Sequence, residues 1–310
     1  MELGFIGLGR MGGNMVQRLL RGGEHQAVVY DRELSVAKSM EQFGARATAS
    51  LEDLMRQLKA PRTVWVMVPA GDPVDETLQA LMALGAKGDI FIDGGNSYYK
   101  DSIRRAKEVE QQGFHFLDVG TSGGIWGLQV GYCMMIGGKP EVFRRVEPAL
   151  KTLAPEDGYG HMGPSGSGHF VKMVHNGIEY GMMQAYAEGF EILHASQYDL
   201  DNAKIAKLWN QGSVVRSWLL ELAESAFQND PQLSGIQGYV EDTGEGRWTV
   251  LAAIEEDVPA TSIAHALFAR FSSRQQNSFG NRLLAALRNE FGGHAVRTAE
   301  SDGPSGASGR

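Results

Sequence analysis

The segment GSGHFVKMVHNGIEYGMMQ, residues 166–184, places titratable side chains inside an apolar helical pattern. Lys172, Asn176 and Glu179 are spaced i, i+4 and i+7, so a helix would carry them on one face. A lysine and a glutamate in such apolar surroundings are costly unless they are paired or used. Because a buried lysine loses its proton readily, Lys172 could act as a general base near neutral pH. A buried structural Lys–Glu pair is the alternative interpretation.

A glycine motif, GLGRMG, occupies residues 7–12 between a predicted strand and a predicted helix. Gly7 allows a tight turn, Gly9 allows a pyrophosphate to approach the backbone, and Gly12 allows the helix to pack closely on the strand. The N-terminus of the following helix offers free N–H groups to phosphates. An ordinary tight turn is the alternative, but Asp31 at the end of the second predicted strand completes the pattern of a dinucleotide site.

Asp31 also bears on which dinucleotide is bound. An acid at this place accepts hydrogen bonds from the ribose hydroxyls of NAD, and it repels the 2′-phosphate of NADP. Arg32 beside it could stack on adenine or attract that phosphate, so NADP stays open while NAD is favoured. The predicted cofactor-binding residues are Gly7, Leu8, Gly9, Arg10, Met11, Gly12, Asp31, Arg32, Val68, Pro69, Ala70 and Asn96.

Two further loops follow predicted strands, at the edge where ligands bind in open α/β sheets. IDGGNS, residues 92–97, contains Asn96, which could bridge cofactor and substrate. TSGG, residues 121–124, offers backbone N–H groups and the Ser122 hydroxyl to a carboxylate. Each loop could also be a plain connection, the first with its asparagine as a helix cap.

Alternating strands and helices must position these loops. Apolar, β-rich runs predict strands at residues 3–6, 27–30, 63–68, 90–92, 116–119 and 132–136. Helical patterns lie between most of these runs, and this alternation predicts a parallel sheet with helices on both faces. After the segment PSGSGH only helical periodicities follow. They predict helices at residues 169–196, 201–211, 214–227, 249–257, 261–272 and 279–291.

The predicted fold class is an α/β Rossmann-like N-terminal domain followed by an all-α C-terminal domain. The expected boundaries are 1–163 for the dinucleotide-binding domain and 164–300 for the helical domain. Residues 301–310, SDGPSGASGR, are mostly small and polar, which predicts a disordered tail.

Composition bounds the class of protein. The 310 residues are 43% hydrophobic and 21% charged, which is typical of a folded chain. The net charge of −8 argues against a nucleic-acid surface or an anionic membrane face. The single cysteine, Cys133, excludes an internal disulfide and a cysteine zinc cluster, and no metal site is expected. With no signal-peptide pattern and no membrane-spanning run, a cytoplasmic location is expected.

The motifs GLGRMG, IDGGNS with the downstream pair Arg104 and Arg105, and KMVHNGIEYGMMQ together resemble one enzyme family. It is the short type of decarboxylating 6-phosphogluconate dehydrogenase, within the β-hydroxyacid dehydrogenase superfamily. The similarity extends over nearly the whole chain, to LRNEFGGH at residues 287–294. The resemblance implies oxidative decarboxylation of 6-phospho-D-gluconate to D-ribulose 5-phosphate and CO2, with reduction of NAD(P).

The resemblance also implies roles for individual residues. Lys172 corresponds to the base that takes the proton of the C3 hydroxyl, and Glu179 to the acid that protonates C1 after CO2 is lost. The implied substrate-binding residues are Asn96, Ser122, Gly123, Gly124, His175, Asn176, Tyr180, Arg247, Arg270, Arg288 and His294.

Within that set, the family resemblance places Tyr180 and Arg270 at the substrate phosphate. Arg288 and His294 correspond to residues that reach the phosphate end of a neighbouring subunit's site. The resemblance therefore implies a homo-oligomer, a dimer or tetramer, whose C-terminal helices are shared between subunits.

The chain departs from the family at one phosphate-binding stretch. TGEGRW stands where long members have Lys-Gly-Thr-Gly-Lys-Trp, so Thr243 replaces one lysine and Arg247 replaces the other. The chain is also shorter than those members, and it is expected to lack their second helical unit.

Two other functions stay open. Another β-hydroxyacid dehydrogenase, such as one for 3-hydroxyisobutyrate, would share the fold and Lys172 but would not need Glu179. A non-catalytic dinucleotide-binding protein would need neither side chain. The expected ligands are NAD and 6-phosphogluconate, with no nucleic-acid or membrane partner.

Overall fold

The structure, a computed structural model, describes residues 1–297. The described chain begins with eight strands that alternate with helices, and helices alone follow the last strand. The strands are β1 (Glu2–Ile6), β2 (Gln26–Tyr30), β3 (Arg46–Ala47), β4 (Thr63–Val66), β5 (Ile90–Asp93), β6 (His115–Ser122), β7 (Cys133–Gly138) and β8 (Tyr159–Gly163). The tail predicted at 301–310 lies outside the described residues.

Seven α-helices of the described chain lie among the strands. They are α1 (Arg10–Arg21), α2 (Leu34–Ser39), α3 (Leu51–Gln57), α4 (Asp72–Leu84), α5 (Tyr99–Gln111), α6 (Gly127–Val130) and α7 (Pro140–Leu153). The later helices are α8 (Ser167–His194), α9 (Asn202–Trp209), α10 (Trp218–Asn229), α11 (Glu245–Glu255), α12 (Thr261–Ser273) and α13 (Phe279–Gly292). All six helices predicted beyond residue 164 are confirmed, with ends shifted by four residues or fewer.

The eight strands form one sheet in the order β3-β2-β1-β4-β5-β6-β7-β8. Neighbouring strands are parallel except for β6 and β7, which are antiparallel. The predicted parallel sheet is therefore confirmed except at this one pair of strands. The connection 123–132 is too short for a parallel crossover, which takes a dozen or more residues, so the chain turns back on itself.

The core lies on both faces of the sheet, because successive side chains of a strand point to opposite sides. Leu3 and Phe5 of β1 join one apolar cluster with Leu19 of α1. Ile6 joins the cluster on the other face, together with Leu54 of α3. Burying each such side chain stabilises the fold by about 1.5–3 kcal/mol, so these clusters hold the strand ends in fixed positions.

The chain divides into two compact units. The first contains residues 1–187 with 243–264, and the second contains residues 188–242 with the described residues from 265 to 297. In the second unit the Phe190 ring packs against the rings of Trp209 and Phe227, at centroid distances of 5.7 and 5.0 Å. Within residues 1–297, no helix has the length and apolar character needed to span a membrane.

Candidate active site

Helix α8 is anchored to the sheet by a buried carboxylate. Asp118 of β6 accepts hydrogen bonds from the backbone N–H groups of Gly166, at 2.7 Å, and His169, at 2.9 Å. Negative charge at a helix N-terminus is favourable because the first N–H groups have no partner inside the helix. The side chain of Asp118 thus fixes where α8 starts on the sheet.

Glycines let α8 approach the sheet very closely. A Cβ atom added to Gly120 of β6 would lie 2.3 Å from the Cβ of Lys172. One added to Gly168 would lie 2.4 Å from the Met135 carbonyl oxygen. No larger residue fits at either position without moving the helix. The sequence prediction missed Gly120, because no local pattern shows which distant residue a strand glycine contacts.

Lys172 lies at this close contact, and its side chain is 6% exposed. Its Nζ donates a hydrogen bond to Oδ1 of Asn176 at 2.6 Å and lies 3.2 Å from Nδ1 of His175. Burial lowers the pKa of Lys172, an effect that the negative charges of Glu179 and Glu245 oppose. A lowered pKa increases the fraction of unprotonated amine, which is the form that can accept a proton.

Glu179 is on the same face of α8, one turn beyond His175. Its Oε2 lies 3.8 Å from Nδ1 of His175, and both side chains are 39% exposed. Burial, followed by the charge of Lys172, lowers the pKa of His175. One helical face therefore carries a buried amine, an imidazole and a partly exposed carboxylate in sequence.

Helix α11 crosses α8 beside these residues. Thr249 donates a hydrogen bond to the Met173 carbonyl oxygen at 2.8 Å, and a Cβ on Gly177 would lie 2.6 Å from its methyl carbon. Tyr180 is 7% exposed, and a Cβ on Gly246 would lie 2.5 Å from its ring. The glycines at 177 and 246 thus explain how the two helices pack so closely over Tyr180.

The start of α11 contains the stretch that departs from the long family members. Thr243 donates a hydrogen bond to the buried carboxylate of Glu245. Arg247, two residues further on, is exposed at the beginning of α11. The replacement of lysine by Thr243 therefore comes with a local hydrogen bond to α11, and Arg247 retains positive charge nearby in the chain.

The glycine motif has the shape of a phosphate cradle. Gly7 has φ +87°, and a Cβ there would lie 2.4 Å from the Met67 carbonyl oxygen. A Cβ on Gly12 would lie 2.1 Å from the Gly7 carbonyl oxygen, whereas one on Gly9 would meet open space. Gly9 precedes α1 and has no side chain to cap it. The open space and the uncapped helix start fit a pyrophosphate group.

Asp31 lies against the glycine motif at the end of β2. Its Oδ2 accepts a hydrogen bond from the Leu8 N–H at 2.7 Å, and its Oδ1 accepts one from the Glu33 N–H at 3.0 Å. The neighbouring Arg32 is exposed. The carboxylate is thus held in place by backbone donors beside the turn that would carry a dinucleotide.

Asn96 follows β5 and lies in the loop 94–98, which leads to α5. Among the described residues, its buried Oδ1 atom has no hydrogen-bond partner. An orphaned buried amide oxygen is costly, and a bound ligand that donates a hydrogen bond would remove that cost. The loop that contains Val68, Pro69 and Ala70 follows the neighbouring strand β4. These two loops therefore lie at the same edge of the sheet.

The TSGG loop ends β6 and is supported from below by Tyr132. Gly123 and Gly124 have φ values of +126° and +51°, which glycine adopts at little cost. Tyr132 is fully buried, and a Cβ on Gly127 would lie 2.0 Å from its ring. Burial raises the pKa of Tyr132 to about 12. Ser122 pairs with Cys133 across the antiparallel strands.

The other predicted phosphate-binding residues belong to the second unit. Arg270 of α12 donates a hydrogen bond to the Glu241 carbonyl oxygen at 2.8 Å. Arg288 of α13 and His294 after it are exposed. Over the described chain, no cluster of three or more His, Cys, Asp or Glu side chains could hold a metal ion.

Comparison with known families divides the chain into two matched regions. Residues 2–170 match the NAD binding domain of 6-phosphogluconate dehydrogenase. Residues 168–281 match the C-terminal domain of the same enzyme. The N-terminal part is therefore an NAD-binding domain of this family, which agrees with the shape of the glycine motif.

Relatives of similar length support this result. YqeC of Bacillus subtilis (strain 168), provisionally named a 6-phosphogluconate dehydrogenase, is 46% identical over 96% of this chain and 99% of its own. A protein of Haloferax volcanii (strain DS2), named 6-phosphogluconate dehydrogenase, NAD(+)-dependent, decarboxylating, is 45% identical over 96% of this chain and 98% of its own.

A solved structure is similar over nearly the whole fold. The 6-phosphogluconate dehydrogenase of Plasmodium falciparum, described as apo, with its cofactor NADP+ and with its substrate 6-phosphogluconate, superimposes with a TM-score of 0.80. It is 29% identical, and the match covers 98% of this chain and 67% of that one. On these matches the chain belongs to the 6-phosphogluconate dehydrogenase family.

Proposed function

We propose that this chain catalyses the oxidative decarboxylation of 6-phospho-D-gluconate to D-ribulose 5-phosphate and CO2, with NAD preferred over NADP. The observation that carries the proposal is the helical face with Lys172, a buried amine of lowered pKa, and Glu179, a partly exposed carboxylate. Two titratable groups in different environments suit a reaction that needs both a base and an acid.

The acid–base steps follow from the atoms on this face. A nicotinamide cofactor held by the glycine motif and Asp31 would supply the acceptor for the hydride that leaves C3 of the substrate. Nζ of Lys172 takes the proton of the C3 hydroxyl at that step. The resulting β-keto acid loses CO2 because the ketone oxygen accepts the bond electrons, and Lys172 returns its proton to that oxygen, which gives the enediol. Glu179 then protonates the carbon that lost CO2, which becomes C1 of the product, while Lys172 takes the proton of the enediol hydroxyl, which gives the ketose.

The remaining side chains are proposed to bind and orient the substrate. Asn96, with its orphaned amide oxygen, and Ser122 at the end of β6 take its hydroxyl and carboxylate groups. Gly123, Gly124, His175 and Asn176 complete that end. The family resemblance assigns the phosphate to Tyr180 and Arg270, with Arg288 and His294 supplied by a second copy. Arg247 stands at the second lysine of the family's phosphate-binding stretch.

The preference for NAD rests on Asp31. Its carboxylate is held by the Leu8 and Glu33 N–H groups beside the glycine motif, where it would accept hydrogen bonds from ribose hydroxyls. The Haloferax volcanii relative is named NAD(+)-dependent, which supports the same preference. The proposed dinucleotide site comprises Gly7–Gly12, Asp31, Arg32, Val68, Pro69, Ala70 and Asn96.

The assay follows absorbance at 340 nm with purified protein, in parallel with 6-phosphogluconate and 3-hydroxyisobutyrate and with each cofactor. We expect turnover of 6-phosphogluconate, with a higher kcat/KM for NAD than for NADP. Turnover of 3-hydroxyisobutyrate alone would assign the chain to another activity of the same superfamily. Equal or better kcat/KM with NADP would remove the argument from Asp31.

A further inference from the structure

Arg105 of α5 is a charged side chain that is only 1% exposed and that the proposed chemistry does not use. We propose that Arg105 is a positioning residue, which holds the loop with Asn96 against the loop with Val68–Ala70. It would thereby fix the position of the Asn96 amide, which is proposed to contact the substrate, relative to the cofactor-binding loop. The proposal rests on the proposed function for the roles of those two loops.

The guanidinium of Arg105 contacts both loops at once. Its Nη2 donates a hydrogen bond to the Gly71 carbonyl oxygen at 2.9 Å, at the end of the loop with Val68, Pro69 and Ala70. Its Nη1 lies 3.3 Å from Oδ2 of Asp93, the last residue of β5. Its Nε donates to Oδ1 of Asp75 in α4 at 2.8 Å, which holds the fork in its plane.

Asp93 passes this contact on to the Asn96 loop. Its side chain is 1% exposed, and its other oxygen, Oδ1, accepts a hydrogen bond from the Gly95 N–H at 3.3 Å. Without Arg105, the Asp93 carboxylate would be a buried charge without that cation. The Arg105 guanidinium is thus linked through Asp93 to the peptide between Gly94 and Gly95, one residue before Asn96.

The two loops touch directly at this point. Gly94 donates a backbone hydrogen bond to the Val66 carbonyl oxygen at 2.9 Å. A Cβ on Gly95 would lie 3.2 Å from the Val68 carbonyl oxygen. Because the backbones are already in contact, a small shift of one loop moves the other, and a support that grips both controls their relative position.

A second contact, from His169 of α8, holds the next peptide of the same loop and is linked to α5 through Ser102. Nε2 of His169 lies 3.0 Å from the Gly95 carbonyl oxygen, and its Nδ1 lies 2.7 Å from Oγ of Ser102. Ser102 and Arg105 are three residues apart on the buried face of α5. His169 is one turn before Lys172 on α8. Helix α5 thus links the Asn96 loop both to the cofactor loop and to the helix with the base.

The neighbouring Arg104 provides a matched control. It also contacts Asp75, at 3.0 Å, but its side chain is 45% exposed and its other carboxylate partners are Asp101 and Glu108. A lysine keeps the charge but cannot form the planar fork that spans two or three acceptors. Arg105→Lys and Arg104→Lys are therefore the same substitution, but only Arg105→Lys removes hydrogen bonds to the two loops.

The test measures the Kd for NAD by calorimetry, KM and kcat with 6-phosphogluconate, and Tm for wild type and both variants. At a temperature well below each Tm, we expect Arg105→Lys to raise the NAD Kd and lower kcat, each by roughly tenfold. Arg104→Lys should stay within about twofold of wild type. Matching Kd, KM and kcat in the two variants, with only Tm lowered in Arg105→Lys, would overturn the positioning role.

Asp75→Asn keeps the experiment decisive if Arg105→Lys does not fold. This variant retains the contacts of Arg105 with Asp93 and Gly71 but weakens its paired hydrogen bonds to residue 75. We therefore expect the Kd for NAD to rise about threefold, and added salt should not restore it. An unchanged Kd would contradict the proposal. If wild type does not turn over 6-phosphogluconate, the proposed substrate fails, and the NAD Kd comparison still decides the role of Arg105.

Discussion

At the scale of single residues, the two proposed acid–base groups differ in their surroundings. Lys172 is buried beneath the contact of α8 with the sheet, and Glu179 is 39% exposed further along the same helix. Burial lowers the pKa of the amine, because water no longer stabilises its charged form. The same helix therefore supplies an amine that loses its proton more readily than an exposed lysine does and an accessible carboxyl group.

The pH dependence of kcat/KM tests the state of Lys172. Protonated Lys172 cannot accept the C3 proton, so kcat/KM should fall as the pH drops through the Lys172 pKa. Because burial lowers this pKa, the fall should lie below the pH at which an exposed lysine titrates. The fall should persist in His175→Asn, which removes the other group on this helical face whose pKa is lowered. A fall centred at or above about pH 10.4, the pKa of an exposed lysine, would contradict the assignment.

Glu179→Gln tests the proposed acid. The amide cannot donate a proton to C1, so ribulose 5-phosphate should form roughly 100-fold more slowly. Glu191→Gln, an exposed change on the same helix, is the control and should keep the wild-type rate. Product formation by Glu179→Gln at the rate of the control would exclude the acid role.

Asp31→Ser tests the cofactor preference. The change removes the acceptor for ribose hydroxyls and the charge that repels a 2′-phosphate, so the ratio of kcat/KM for NADP to that for NAD should rise roughly tenfold or more. Both values should also fall, because the Leu8 N–H loses its partner. An unchanged ratio would show that another residue selects the cofactor.

At the scale of elements, local patterns predicted most of the fold. The glycine motif, the strand ends with their loops and the helix with Lys172 are visible because their spacing follows the geometry of a single strand or helix. β3 and β8 were missed because the first has two residues and the second, YGHMG, has no apolar run. The reversal of β7 and the contact of Gly120 with Lys172 depend on distant parts of the chain, which no local pattern encodes.

The packing of α8 on β6 gives a test at this scale. Gly120→Ala would place a methyl carbon 2.3 Å from the Cβ of Lys172, so the helix must shift. We expect the free energy of unfolding to fall by about 1–3 kcal/mol, which is the usual cost of overpacking a core. We also expect kcat to fall by roughly 100-fold or more. Gly22→Ala, where a Cβ meets open space, is the control. Full activity in Gly120→Ala, whether or not its stability falls, would contradict the claim that this close contact positions Lys172.

At the scale of the whole molecule, the net charge of −8 does not conflict with an anionic substrate. Total charge governs solubility and long-range steering, whereas a site is built from a few placed donors. Lys172, Arg247, Arg270, Arg288 and His294 are the proposed donors. The acidic total therefore argues against a broad polyanion surface but not against a small phosphorylated sugar acid.

Helix α13 gives a test of assembly. Four of its apolar residues, at intervals of four along the helix, are exposed. They are Phe279 at 72%, Leu283 at 47%, Leu287 at 49% and Phe291 at 78%. Large contiguous apolar patches on a protein surface mark interaction sites, and we expect a second copy to cover this one. Light scattering should give a multiple of the 33.7 kDa chain mass, and Leu287→Glu should shift it toward the monomer with lower kcat/KM. An active wild-type monomer would contradict the shared site.

The most direct measurement of the central claim is the reaction balance with 6-phosphogluconate and NAD, for wild type and for Lys172→Met. The methionine keeps much of the side-chain volume but cannot accept a proton. We expect wild type to form NADH, CO2 and ribulose 5-phosphate in equal amounts, and Lys172→Met to bind NAD normally with almost no turnover. Formation of NADH without CO2 by wild type would contradict the proposed reaction, and full turnover by Lys172→Met would contradict the role of Lys172 as the base.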